Sequence, residues 1–253
     1  MGTISPNSPA PFNLTAVDRQ ILSMTDEEFV PHNWENLKEL IARNALDELK
    51  RKPSDLRRYM AWSSDTKAVY GSITNYICQE RLRWHEPEQQ ANPAEEENGA
   101  RNKNGGVPTT ATATAAATVS ATATADSRPV IPYKNPVPFA DPEDYRVLRN
   151  DWPYGLAPGI THLVVWLKTP VAVKSEDGDV TDESRSLIEN FVQRTFVDRL
   201  KRAGFANPKE QVLWFKNPVG LQSVRALEHV HVLVRDVPDE IIEEWTGERM
   251  ERH

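Results

Sequence analysis

Two histidines at alternate positions of an apolar segment are the residues whose type and spacing most clearly suggest chemistry. The segment, residues 225–236, is RALEHVHVLVRD. Alternate side chains of a β-strand share a face, so we expect His229 and His231 on one face with Leu227 and Leu233, and the intervening valines on the other. The valine face is typical of a core. The histidine face is predicted either to close over a ligand or to be polar packing.

Three interpretations of the histidine pair are open from the residues alone. A neutral imidazole can attack phosphorus and form a nucleotidyl-histidine, which makes His229 and His231 candidate catalytic residues. The pair could instead bind a metal ion together with His162 from another strand. Because no carboxylate or cysteine stands at ligand spacing, we predict no bound metal. We also predict no cofactor. The third interpretation is a hydrogen-bonded structural pair.

Other residues could assist a phosphorylated or sugar ligand. Arg235 falls on the histidine face by the same alternation, and an arginine fork matches the geometry of phosphate; Arg225 is a second candidate. Trp152, Trp166 and Trp214 could line a sugar pocket, although aromatic residues at strand positions are more often part of a core.

Composition excludes several classes of protein. A net charge of -7 and a pI near 5.5 argue against a nucleic-acid partner, which needs clustered basic residues. No segment is long and apolar enough to span a membrane, and the first dozen residues lack the apolar core of a signal peptide, so we expect a cytoplasmic protein. Cys78 is the only cysteine, which excludes an intrachain disulfide and a cysteine-based zinc site.

Apolar periodicity and breakers predict the elements. Helices are expected over 33–50 with Asn33 as N-cap, over 53–84 with a break at WSSD or Gly71, over 181–204, and after Pro238. Strands are expected over 160–168, 211–216 and 228–235.

This order of elements predicts an α+β fold. The predicted divisions are a flexible N-terminus with a short helix (1–32), a helical element (33–84), a disordered low-complexity insert (85–128) and an α+β domain (129–253). The insert has almost no large apolar residue, so burial cannot offset its ordering entropy.

Three segments carry a resemblance to a known family. YMAWSSDTKAVYGSITNYICQERLRW, NDWPYGLAPGITHLVVWLK and WFKNPVGLQSVRALEHVHVLVRDV are similar to the fungal N-acetylglucosamine-induced protein family. The resemblance implies a cytoplasmic protein associated with N-acetylglucosamine metabolism or response. It implies no catalytic residue.

A second resemblance bears on mechanism. NDWPY, THLVV, GLQSV and HVHVL resemble, in order and spacing, motifs of the histidine-triad nucleotide hydrolases and transferases. Leu227 stands where the first triad histidine would be, and the gap before HVH is longer by about one residue. The nucleophile would be His229, or His231 in the register of the galactose-1-phosphate uridylyltransferase branch.

That resemblance implies a histidine-triad-like antiparallel sheet and a set of substrate-binding residues. Asn150 would contact a ribose, His162 would stand beside the histidine pair, and Gln222 and Ser223 would hold a phosphate oxygen. The implied ligand is a nucleotide or amino-sugar phosphate. No nucleic acid and no membrane are expected as partners, and the sequence does not identify a protein partner. A non-catalytic binding or interaction module is the alternative.

Overall fold

The computed structural model describes residues 14–84, 131–176 and 178–249. The segment predicted to be a disordered insert, 85–128, lies outside these ranges, as do residues 1–13 of the predicted N-terminal division. The helices are α1 (Ala16–Leu22), α2 (Trp34–Ala42), α3 (Pro53–Tyr70), α4 (Ile73–Tyr76), α5 (Asp182–Val192), α6 (Asp198–Arg202) and α7 (Asp239–Thr246). The strands are β1 (Tyr145–Arg149), β2 (Ile160–Leu167), β3 (Val212–Phe215) and β4 (Glu228–Arg235).

The four strands form one antiparallel sheet in the order β1-β2-β4-β3. The predicted α+β class is confirmed, and the three predicted strands lie within about one residue of their predicted bounds. β4 is central, between β2 and β3. Its register with β2 places Trp166 opposite His229 and Val164 opposite His231.

The valine face of β4 is packed as its alternation predicts. Val230, Val232 and Val234 are at most 1 % exposed and belong to a core that includes Ile188 of α5 and Ile241 of α7. Burying such side chains stabilises the fold by about 1.5–3 kcal/mol each. This core fixes the sheet, and thereby the backbone positions from which the histidines project.

The histidine face is covered by the N-terminal part of the chain. Trp34 and Leu37 of α2 pack on Phe215 and Leu233, and Ile73 of α4 belongs to the cluster over the opposite end of the face, with Leu148, Val164 and Leu227. The predicted helical element thus contributes directly to the surroundings of the histidines.

The first predicted helix is shorter than expected, and the second is broken at one of its two expected positions. The predicted helix 33–50 begins at its predicted cap, since the Asn33 side chain accepts the N–H of Asn36, but it ends at Ala42. Asn44 follows with φ of 53°, a left-handed residue that terminates a helix, and a 3₁₀ turn covers Leu46–Glu48. In the next helix the break falls at Gly71, with φ of 75°, and not at WSSD.

The third predicted helix begins as expected, because the Thr181 hydroxyl accepts the N–H of Ser184 at 3.2 Å. It is divided by a π-helical segment, Gln193–Val197, between α5 and α6. β1 was not predicted, because its sequence YRVLR has arginines at two of five positions. None of the helices in the described ranges could cross a bilayer.

Candidate functional site

A cavity of about 360 Å³ lies between the histidine face of the sheet and the N-terminal helices. Cavities of this size accommodate small molecules. The strands contribute Val164, Trp166, His229 and His231, and α3 contributes Tyr59 and Trp62. The segment that precedes β4 closes another side with Asn217, Gln222, Ser223, Val224 and Arg225.

His229 is held by the backbone of Leu227, the residue that precedes its strand. Its Nδ1 lies 2.9 Å from the carbonyl oxygen of Leu227, which can only accept, so Nδ1 carries the proton. In the neutral ring the lone pair is then on Nε2, and no described residue forms a hydrogen bond with that atom. His229 therefore lines the cavity as a neutral imidazole with an unoccupied acceptor nitrogen.

His231 is engaged through both of its ring nitrogens. Nδ1 lies 3.0 Å from Nε2 of His162, and Nε2 lies 3.2 Å from Nδ2 of Asn217. The ring also stacks on Phe215, with centroids 4.8 Å apart. These contacts hold His231 in place and occupy the nitrogens that it would need to react.

His162 extends the contact to β1 and to the loop that follows it. Nδ2 of Asn150 lies 3.2 and 3.3 Å from the two nitrogens of His162, and the backbone N–H of Asn150 donates to the His162 carbonyl at 2.9 Å. The Tyr154 ring stacks on His162 at 5.4 Å. His162 does not line the cavity, but it contacts His231, which does.

The proton positions follow from the donors and acceptors. The Oδ1 of Asn150 accepts the N–H of Trp152, so its Nδ2 is a donor toward His162. Nδ2 of Asn217 donates to Nε2 of His231, so Nδ1 of His231 carries the proton and donates to Nε2 of His162. The same amide nitrogen of Asn217 also donates to the Tyr154 hydroxyl oxygen at 3.2 Å.

All three imidazoles are held in the neutral form near pH 7. Burial lowers the pKa of His162 to about 3, and the positive charge of Arg51 acts in the same direction. Burial and the neighbouring histidines place the pKa of His231 well below its ordinary value. Burial also lowers the pKa of His229, against the opposing effect of its hydrogen bond to the Leu227 carbonyl. Neutral imidazoles can act as nucleophiles or proton acceptors, whereas imidazolium cannot.

The described residues contain no group of three or more His, Cys, Asp or Glu side chains arranged to hold a metal ion. The nitrogens of His162 and His231 that face each other are separated by a hydrogen-bond distance and not directed toward a common point. The arrangement in which the three histidines bind one ion is therefore not found in this part of the chain.

The predicted substrate-binding residues separate into two groups. Asn150, Gln222 and Ser223 line the cavity. Gln222 is buried and donates to the Asn217 carbonyl at 2.7 Å. The Ser223 side chain forms a hydrogen bond with Tyr59. Arg235 lies at the far end of β4, with its guanidinium 5.0 Å from the centroid of Trp34. The structure does not bring Arg235 to the cavity.

Several cavity residues were missed by the sequence analysis. Tyr59 and Trp62 were missed; they form an aromatic cluster with Trp152, with centroids 5.3–5.9 Å apart. Arg51 and Asn217, which were also missed, belong to the polar lining. Of the tryptophans proposed for a sugar pocket, Trp152 and Trp166 line the cavity, whereas Trp214 packs against the core on the other face. The aromatic spacing in YMAW was the one available signal, and it also fits a helix core.

Comparison with known proteins identifies the family. Residues 33–235 match the family model described as a protein of unknown function, DUF3605. The chain belongs to this family. It is 28 % identical over 219 residues to N-acetylglucosamine-induced protein 1 of Candida albicans, covering 85 % of this chain and 72 % of that protein. The predicted membership of the fungal N-acetylglucosamine-induced family is thereby confirmed.

Two further relatives cover most of the chain. An uncharacterised protein of Saccharomyces cerevisiae is 27 % identical over 219 residues, 86 % of each protein. The crystal structure of HTC1 matches with a TM-score of 0.51 and 26 % identity, covering 82 % of this chain and 86 % of that one.

Proposed function

We propose that the cavity binds a nucleotide or an amino-sugar phosphate and that His229 attacks its phosphorus. The observation that carries this proposal is the orientation of His229. The Leu227 carbonyl holds Nδ1–H, so the lone pair of Nε2 is available in a cavity large enough for such a ligand. Among the two candidate nucleophiles, the unoccupied nitrogen favours His229 over His231.

The reaction would proceed in two displacements. Nε2 forms a bond to phosphorus while the bond from phosphorus to the leaving oxygen breaks, and that oxygen departs with the electron pair and takes a proton from solvent. A water molecule or a sugar hydroxyl then attacks phosphorus, loses its proton, and returns the electron pair to Nε2. The Leu227 carbonyl stabilises the imidazole while it carries the positive charge of the intermediate.

The relative from Candida albicans supports a link to amino sugars, because its name records induction by N-acetylglucosamine. We therefore propose that this chain acts in N-acetylglucosamine metabolism or in the response to the sugar. The aromatic cluster of Tyr59, Trp62 and Trp152 would contact the apolar face of a sugar or a base.

A non-catalytic binding role is the second candidate, and one observation favours it. Leu227 occupies the position of the missing triad histidine and is 2 % exposed. An apolar side chain there cannot donate a proton to a leaving group. Under this alternative, the cavity binds the same ligands without turnover.

The two candidates are separated by assaying the full chain with nucleotide sugars, nucleoside phosphates and amino-sugar phosphates. The nucleophile hypothesis predicts turnover, a phosphorylated or nucleotidylated His229 detected by mass spectrometry after acid-free quenching, and a loss of at least about 1,000-fold in His229→Asn. His32→Asn is the matched control, because His32 is also a buried histidine but does not line the cavity.

Ligand-induced stabilisation without turnover would favour the binding role. Full activity in His229→Asn would contradict the assignment of the nucleophile. Because His231 is predicted to position its neighbours and not to react, His231→Asn should lower turnover without removing the covalent adduct.

A further inference from the structure

Arg51 is a cavity cation that no acidic side chain of the described ranges pairs with. It lies between the 3₁₀ turn at 46–48 and α3, with its guanidinium carbon 4.8 Å from the Tyr59 ring centroid and 5.2 Å from that of Tyr154. Its Nε donates to the Trp152 carbonyl at 3.2 Å. The remaining N–H groups of the guanidinium have no acceptor among the described residues.

The neighbouring cations differ from Arg51 in this respect. Lys52 pairs with Asp26 at 3.0 Å, and Arg81 pairs with Asp151 at 2.7 Å. Of the two cavity-lining carboxylates, Asp151 is thus bound to Arg81. The other, Asp18, accepts the N–H and the hydroxyl of Thr15 at 2.9 Å in the cap of α1.

A half-buried guanidinium without a counter-ion favours the binding of an anion. The two tyrosine rings remove water from its faces, and its free edge presents parallel N–H donors that match the oxygens of phosphate. The three imidazoles are neutral and carry no charge that could serve the same purpose. Among the half-buried arginines that line the cavity, Arg81 and Arg149 pair with carboxylates, so Arg51 is the one without an ionic partner among the described residues.

We infer that Arg51 is the phosphate-binding residue of the cavity and that the ligand bears a phosphate group that its guanidinium holds in a bidentate contact. This inference rests on the proposed function for the identity of the cavity as the ligand site, and it adds the charge of the ligand and the residue that selects it. Uncharged sugars and nucleosides should bind much more weakly than their phosphates.

The test uses inorganic phosphate as the probe, titrated calorimetrically into the full chain at constant ionic strength. We expect Arg51→Gln to weaken phosphate binding at least tenfold and Arg51→Lys to weaken it less, because lysine retains the charge but not the fork. Arg58→Gln is the matched control: Arg58 lies on α3, is exposed and does not line the cavity, so its loss removes the same charge and should change the dissociation constant less than twofold.

Three results would overturn the inference: no phosphate binding by the wild type, binding by Arg51→Gln within twofold of wild type, or an equal loss in Arg58→Gln. If Arg51→Gln is poorly folded, Arg51→Lys is compared with the wild type instead. An unchanged phosphate dissociation constant in Arg51→Lys would contradict the bidentate contact.

The same variants distinguish this inference from the proposed chemistry. His229→Asn should lose turnover, and the phosphate binding that it retains should still depend on Arg51. Phosphate binding that depends on Arg51, without turnover of any substrate, would refute the nucleophile and leave the phosphate site standing. Wild-type turnover and phosphate affinity in Arg51→Gln would refute the phosphate site and leave the nucleophile standing.

Discussion

Mild acid should destabilise this protein because protons must enter a face that is built from neutral imidazoles. His162, His229 and His231 are each at most 7 % exposed, and burial lowers the pKa of each. In the unfolded chain the same side chains titrate near pH 6.5. Below that pH the unfolded state binds more protons than the folded state, so the free energy of unfolding falls as the pH falls.

The size of the effect follows from His162, whose pKa is lowered from 6.5 to about 3. By about pH 5 the unfolded histidine is almost fully protonated and the folded one is not, which removes ~2 kcal/mol of stability. Burial also lowers the pKa of His229 and of His231, so each of these residues adds to the loss. Because folded domains are stable by only about 5–15 kcal/mol, even the contribution of His162 is a substantial part of the total.

The assay is urea unfolding at a series of pH values from about 7.5 to 5, a window that lies above the ordinary titration range of carboxylates. The slope of unfolding free energy against pH should be smaller in His162→Gln than in the wild type, because about one proton fewer is taken up on unfolding. Val164→Ala is the matched control, because Val164 is buried on the same face opposite His231 and does not titrate. It should lower stability equally at every pH. A wild-type slope near zero, or an unchanged slope in His162→Gln, would refute the reasoning.

Two further predictions concern positions that the fold constrains. Lys216→Met should destabilise the protein by about 3–5 kcal/mol in urea unfolding, because it leaves Glu228, its partner at 3.0 Å, as a buried unpaired charge. A double variant that also carries Glu228→Leu should recover part of the lost stability. If it does not, the ion-pair explanation is contradicted. Gly155→Ala should lower the free energy of unfolding by about 1–3 kcal/mol, since a Cβ at this position would lie 2.3 Å from the Phe29 ring. Gly220→Ala should lower it less, because a Cβ at that position would meet nothing within 4 Å. Equal melting temperatures for the two variants would refute the steric argument.

The sequence alone determined the elements that have strong local signals. The alternation in EHVHVLVRD predicted a strand with histidines and valines on opposite faces, because the two-residue period of a strand permits only that division. Asn33, Thr181 and Gly71 marked helix ends, because capping and left-handed backbone depend on a few adjacent residues. The pairing of β1 could not be predicted in this way, because the edge strand YRVLR has no apolar alternation and is defined by its hydrogen bonds to β2.

The tertiary structure alone decided which side chains share the cavity. Arg51 is 180 residues from His231 in the sequence, and its charge reaches His231 only because the N-terminal segment folds over the histidine face. Sequence alternation placed Arg235 on the same face as His229, but the strand carries it to the opposite end, beside Trp34. The different hydrogen bonding of His229 and His231 depends on Asn217 and His162, which come from separate segments. Local sequence specifies the face of a strand, whereas the partners of each side chain depend on long-range packing.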